Sequence, residues 1–142
     1  MKVALASDHA GYNYKEKVKE YLRAKGYEVV DYGTNNGDRS DYPDFAHAAA
    51  EAMQRGEAER GVFVCGSGIG ISITANRYKG IRAVDAVTQE MAKLAREHND
   101  VNVLALGERL ISWEEAEKII DTFFSTEFEG GRHEERVKKI DR

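Results

Sequence analysis

Residues 62–70 read Val-Phe-Val-Cys-Gly-Ser-Gly-Ile-Gly. An apolar run with two β-branched valines, closed by Cys65 and a glycine turn, predicts a buried strand ending at the sulfur, with a helix starting a few residues on. The same pattern recurs on both sides. Apolar runs at 3–6, 29–30, 81–84 and 101–106 have strand length. Between them lie helical stripes: Tyr14, Val18, Tyr21 and Leu22; Phe45, Ala49, Ala52 and Met53; Val87, Met91, Leu94 and Ala95; Trp113, Ala116, Ile120, Phe123 and Phe124. Gly26 suits the end of the first helix and Pro43 the first turn of the second. Strands alternating with helices predict βαβ units with right-handed crossovers. The expected fold is α/β: a single-domain Rossmann-like (flavodoxin-like) three-layer sandwich over 1–142, with a five-stranded parallel sheet, helices on both faces and strand order 2-1-3-4-5.

In such sheets ligands bind beyond the carboxyl ends of the strands, at the switch point between strands 1 and 3. That rule sets Ser7-Asp8-His9-Ala10-Gly11 beside Cys65-Gly66-Ser67-Gly68-Ile69-Gly70. The polar loop 33–42 follows strand 2 and is close enough to reach the same edge.

Composition narrows the class of function. The chain has 142 residues, 42% hydrophobic and 32% charged, with one proline, so one core-bearing domain is expected rather than a disordered chain. No apolar run reaches the length of a membrane span, and Asp8 and His9 interrupt the apolar N-terminal stretch before a signal core could form. A single cysteine excludes an intrachain disulfide. The balance of 21 basic against 25 acidic residues, a net charge of −4, argues against nucleic acid as a partner. These features together suit a soluble, cytoplasmic, single-domain protein with no membrane partner. Only the tail, 130–142, is locally basic and is expected to be helical.

Five groups carry candidate chemistry, and each has a plain structural alternative. Cys65 is either a buried structural thiol or, at a helix start rich in amide N–H groups, a reactive thiolate. No second cysteine completes a C-x-x-C pair, and position 71 is Ile rather than the Arg of a phosphatase loop. Gly66-Ser67-Gly68-Ile69-Gly70 is either a tight turn or an anion nest; it is neither a dinucleotide fingerprint nor a P-loop. Asp8 caps a helix or, with His9, moves protons and binds hydroxyls. His98 extends the stripe of Val87, Met91 and Leu94 and is expected to point inward, near the strand-5 side of the site. There it is a core histidine or an acid–base group. Arg132 and Arg136, at i and i+4, are a solvated face or a phosphate clamp, with Arg109 a third candidate. His47 and His133 receive no role, and the four scattered histidines show no metal-ligand spacing.

Taken in order, Ser7-Asp8-His9-Ala10-Gly11, Asp41-Tyr42-Pro43, Cys65 to Gly70, His98-Asn99, Gly107-Glu108-Arg109 and Arg132-His133 with Arg136 resemble the ribose-5-phosphate isomerase B family, which includes the galactose-6-phosphate isomerase subunits. The resemblance spans essentially the whole chain. It implies an aldose–ketose isomerase that interconverts ribose 5-phosphate and ribulose 5-phosphate with no metal or organic cofactor. It further implies a homodimer or a dimer of dimers, with sites at the subunit interface and the tail 130–142 reaching a neighbour. By motif position, Cys65 is implied as the base, His98 as the ring-opening group aided by Asp8, and Ser67 with the backbone of 66–70 as the anion hole. His9, Arg109, Arg132 and Arg136 are implied as phosphate ligands, and Tyr42 and Asn99 as sugar contacts. Isomerisation of a hexose 6-phosphate such as allose or galactose 6-phosphate, and a non-catalytic phospho-ligand module, are the alternatives.

Overall fold

A computed structural model describes residues 1–142. Five parallel strands form one sheet: β1 (Lys2–Ser7), β2 (Glu28–Asp31), β3 (Arg60–Cys65), β4 (Ala83–Asp85) and β5 (Val103–Gly107). Side chains alternate strictly across it. Val3, Leu5, Val62, Val64, Leu104 and Leu106 face a layer made by α1 (Tyr12–Ala24), α4 (Gln89–Asn99) and α5 (Trp113–Ser125). Ala4, Ala6, Phe63, Cys65, Val103 and Ala105 face α2 (Tyr42–Gln54) and α3 (Ile69–Ala75). Both faces are apolar because helices cover both, the condition for an all-parallel sheet. On the α2 side Ala46, Ala49 and Ala50 meet Ala4 and Ala6, so small residues set a close helix–sheet contact.

The strand order is 2-1-3-5-4, not the expected 2-1-3-4-5. The apolar, fully buried β5 takes the interior slot, while the three-residue, half-buried β4 with Asp85 takes the edge. The exchange moves a helix. A right-handed crossover from β3 outward to β4 puts α3 with α2, and one from β4 back to β5 puts α4 on the opposite face with α1 and α5.

The four amphipathic stretches do form helices, but α4 departs from its expected packing. Its buried residues are Ala92, Ala95 and Arg96, whereas Val87, Met91 and Leu94 are exposed. The stripe is real, but this chain does not cover it. The tail forms α6 (Arg132–Lys138), which docks on its own chain's α4 through His133 rather than leaving the domain as an arm. No helix is long and apolar enough to cross a membrane.

Candidate active site

The carboxyl ends of β1, β3 and β5 frame an open cleft of about 570 Å³. Its lining includes Asp8, His9, Tyr42, Cys65, Gly66, Ser67, Ile69, Gly70 and Arg109, nine of the residues expected there. The fold therefore gathers these residues at the β1/β3 switch point.

Cys65 ends β3 with only 4% of its surface exposed, and its Sγ accepts a hydrogen bond from the Gly68 amide at 3.2 Å. Gly68 lies beneath the turn in the left-handed region at φ 78°, where a Cβ would meet Asp85 Oδ1 at 2.2 Å. Glycine is thus required both by the backbone and by the neighbour. Asp85 Oδ1 is buried with no hydrogen-bond partner, and burial pushes its carboxyl above the usual range. Ser67 Oγ accepts the Ile69 amide at 3.1 Å, leaving its own O–H to donate into the cleft.

The other side of the cleft is held by hydrogen bonds within β1's trailing turn and between that turn and the 33–42 loop. Asp8 Oδ1 accepts the amides of Ala10 and Gly11 at 3.0 and 3.1 Å, so it does cap the short helical turn His9–Gly11 while lining the cleft. Its two readings are compatible because the cap occupies one carboxylate oxygen. His9 is fixed by Ser40: the Ser40 amide donates to Nδ1 at 3.1 Å, and the His9 amide donates to Ser40 Oγ at 3.0 Å. Nδ1 also lies 3.1 Å from the Ser40 carbonyl oxygen, so Ser40 anchors this nitrogen in either tautomer, and where Nδ1 is the acceptor Nε2 carries the proton and can donate to an anion. Ser7 and the loop exchange bonds, Ser7 N–H to Gly33 O and Thr34 N–H to Ser7 O, each 2.6 Å. The Arg109 guanidinium lies over Gly66, and a Cβ on Gly70 would run into the Tyr42 ring at 2.5 Å. One anionic ligand group could thus meet His9, Arg109 and the glycine turn.

His98, Asn99, Arg132 and Arg136 are not in this cleft. The chain does not bring Cys65 and His98 together, contrary to the expected placement of His98 beside strand 5. A crossover helix must run antiparallel to the strands it joins, so α4 starts at the carboxyl edge and ends at the amino edge. There Arg82 Nε bonds the Asp100 carbonyl and the Arg82 amide bonds Asn102 Oδ1. His98 is half-exposed on the uncovered stripe of α4, not inward-pointing, and Asn99 lines a separate shallow cavity with Ile140. Arg132 and Arg136 are exposed on α6, at the same end.

Sequence reading passed over three features. His133 stacks on His98 with ring centroids 4.3 Å apart, and burial holds its imidazole below the usual range, with Arg132 and His98 adding to the effect. Glu129 approaches both rings, although no spacing in the sequence signals this trio. Ser40 carries no motif at all; only the fold brings it to His9. A smaller cleft of about 310 Å³ between α1 and α5 holds Lys25 and Asp121, already paired with each other at 3.2 Å, and offers no comparable chemistry.

Comparison with known proteins agrees with this architecture. The family model described as Ribose/Galactose Isomerase matches residues 3–140. Ribose-5-phosphate isomerase B of Escherichia coli is 44% identical, covering 98% of this chain and 93% of that one. Among solved structures, Clostridium thermocellum ribose-5-phosphate isomerase B is 50% identical with a TM-score of 0.97, covering 99% and 95% of the two chains. Ribose-5-phosphate isomerase B from Mycoplasma genitalium with bound ribulose-5-phosphate is 40% identical with a TM-score of 0.92, covering 98% and 93%. With one fold, one order of motifs and near-complete coverage in common, the chain belongs to the ribose/galactose isomerase family.

Proposed function

We propose that this protein interconverts ribose 5-phosphate and ribulose 5-phosphate, and that its working site combines the Cys65 cleft of one copy with the α4–α6 end of a second. The activity rests on near-full-length agreement with ribose-5-phosphate isomerase B relatives, one of them solved with ribulose-5-phosphate bound. In the reaction, the Cys65 thiolate takes the proton from C2 of the open-chain aldose, and the electron pair shifts to give an enediolate. The Ser67 O–H and the amides of the glycine turn meet the charge on oxygen. The same sulfur returns the proton to C1 while the proton on O2 passes to O1, so that C2 becomes the carbonyl and the ketose is formed. His9 and Arg109 bind the phosphate, and Asp8 and Tyr42 hold the sugar hydroxyls.

The observation that carries the two-copy site is the split itself. His98 and the two tail arginines sit at the amino edge, while the rim of the Cys65 cleft exposes Ile69, Ile73 and Leu110 at 54%, 60% and 61%. The stripe bearing His98 exposes Val87, Met91 and Leu94 as well. Two uncovered apolar surfaces, each flanking half of one chemistry, fit a homodimer in which His98 opens the sugar ring and Arg132, Arg136 and Asn99 complete the partner's pocket.

Mixing Cys65→Ala chains with Arg132→Ala/Arg136→Ala chains tests this reading. Each variant alone is expected to be nearly inactive on ribose 5-phosphate, and mixed dimers to regain part of the wild-type rate. No recovery in proven heterodimers would refute the shared site. Near-native turnover by Cys65→Ala would refute the base assignment. A panel including allose and galactose 6-phosphates reads the hexose alternative.

A further inference from the structure

The two stacked imidazoles form a chemical cluster of their own. Glu129 Oε1 lies 3.5 Å from His133 Nε2 and 4.0 Å from His98 Nε2, and the three ligand atoms all fall within 4.8 Å of one another. His133 is 5% exposed, and its Nε2 is buried with no hydrogen-bond partner. An orphaned buried ring nitrogen aimed at a carboxylate and a second imidazole is an unfilled ligand position. The backbone holds the three together: the Glu129 amide donates to the Glu97 carbonyl at 3.1 Å, one residue before His98, and the His133 amide donates to the Gly130 carbonyl at 3.1 Å.

We propose that His98, Glu129 and His133 form a binding site for a divalent transition-metal ion of the zinc class. Two imidazole nitrogens and one carboxylate oxygen suit Zn²⁺, Co²⁺ or Ni²⁺, whereas Mg²⁺ and Ca²⁺ prefer all-oxygen sets. Tetrahedral donors about 2.0–2.1 Å from a metal stand about 3.3 Å apart, so Glu129 need move little, whereas the His98 ring, stacked on His133 at an interplanar angle of 14°, must swing out of the stack to aim its lone pair at the same point. His133 is fixed by burial. His98 and Glu129 keep solvent access and can rotate to converge their lone pairs. Three protein ligands leave a position for water. The neighbouring Arg132 and Arg136 oppose a cation, which keeps the site reversible. Its consequence, unlike the site itself, rests on the function proposed above: an ion that engages His98 blocks ring opening, so the metal acts as an inhibitor.

The full chain is treated with EDTA, freed of chelator and titrated with Co²⁺ alone, following visible absorption. One ion per chain is expected, displaced by Zn²⁺, without the near-ultraviolet thiolate band that Cys65 ligation would produce. His133→Gln should abolish binding. Glu129→Gln, at an exposed position that spares the core, should weaken it about tenfold or more. His47→Ala should leave it unchanged. No binding, a thiolate band, or wild-type affinity in Glu129→Gln and His133→Gln would overturn the site. Zn²⁺ is expected to inhibit isomerisation reversibly. Saturated binding without inhibition upholds the metal site and overturns the ring-opening role of His98.

Discussion

Lys15 is fully buried, and its charge is met by two carboxylates: Asp31 Oδ2 at 2.6 Å and Glu16 Oε2 at 2.9 Å. Lys19 bridges the same pair, 2.6 Å from Asp31 and 3.0 Å from Glu16. The perturbation of interest is Asp31→Asn set against Lys15→Met. Removing one partner of a buried ion pair costs about 3–5 kcal/mol, because the other charge stays buried and uncompensated. Glu16 still serves Lys15 in Asp31→Asn but is more than a third exposed, so the expected loss is about 2–3 kcal/mol. Lys15→Met removes the buried charge outright. Asp31 then keeps Lys19 and the Gly33 amide, which donates to Oδ1 at 2.8 Å. A hydrophobic replacement of that kind is expected to cost under about 1 kcal/mol.

Urea unfolding followed by circular dichroism, at one fixed protein concentration, reads both variants. The double variant should fall near Lys15→Met, since neither charge is then left alone. Burial by itself would raise the Asp31 carboxyl, but hydrogen bonds from Lys15, Lys19 and the Gly33 amide outweigh it and hold the carboxyl below the usual range. A folded-state pKa below the unfolded value of about 3.9 means the stabilisation is present above that pH and is lost as pH falls through the folded value. The gap between wild type and Asp31→Asn should therefore be full at neutral pH and shrink below about pH 4. Equal losses in the two single variants, or a gap that widens in acid, would show that Asp31 does not compensate a buried Lys15 charge. Asp31 also secures the loop whose Gly33 and Thr34 pair with Ser7, so Asp31→Asn should raise KM as well.

Gly68→Ala would put a Cβ against Asp85 on a left-handed backbone and disturb the amide that holds the Cys65 sulfur; a drop in kcat of about tenfold or more, with a lowered unfolding midpoint, is expected. Gly70→Ala meets only the exposed Tyr42 ring, which can swing away, while helix propensity gains up to about 1 kcal/mol; stability should hold and KM should rise, and unchanged KM would remove Tyr42 from the sugar contacts. Met91→Lys with Leu94→Glu should leave the monomer folded, because neither residue is buried, yet split the homodimer proposed above in sedimentation and abolish turnover. His98→Asn should lose more activity on cyclic ribose 5-phosphate than on an open-chain analogue, and equal losses would count against ring opening by His98.

What the sequence made legible follows the range of the forces involved. Strand alternation and helical stripes are local, so residues 62–70 announced β3, its glycine turn and the helix beyond. The switch-point rule set Asp8 and His9 beside that turn, and Arg109, which follows β5, lines the same cleft. Strand order is not local: β4 and β5 exchange places because relative burial across the whole sheet decides which strand becomes an edge. The misplacement of His98 has a different cause: a crossover helix runs antiparallel to the strands it joins, so α4 ends at the amino edge in either strand order. A stripe of Val87, Met91 and Leu94 looks the same in sequence whether its own domain or a second copy covers it, and reading it as core pulled His98 inward. Once right-handed crossovers put α4 on the α1 face and its end at the amino edge, the half-exposed His98, the buried His133 stacked on it and the exposed arginines gather on the α4–α6 pair. On the two-copy reading proposed above, a single chain holds all the residues of the chemistry while completing it only with another, since the βαβ rule that gathers loops at one edge sends every crossover helix to finish at the other.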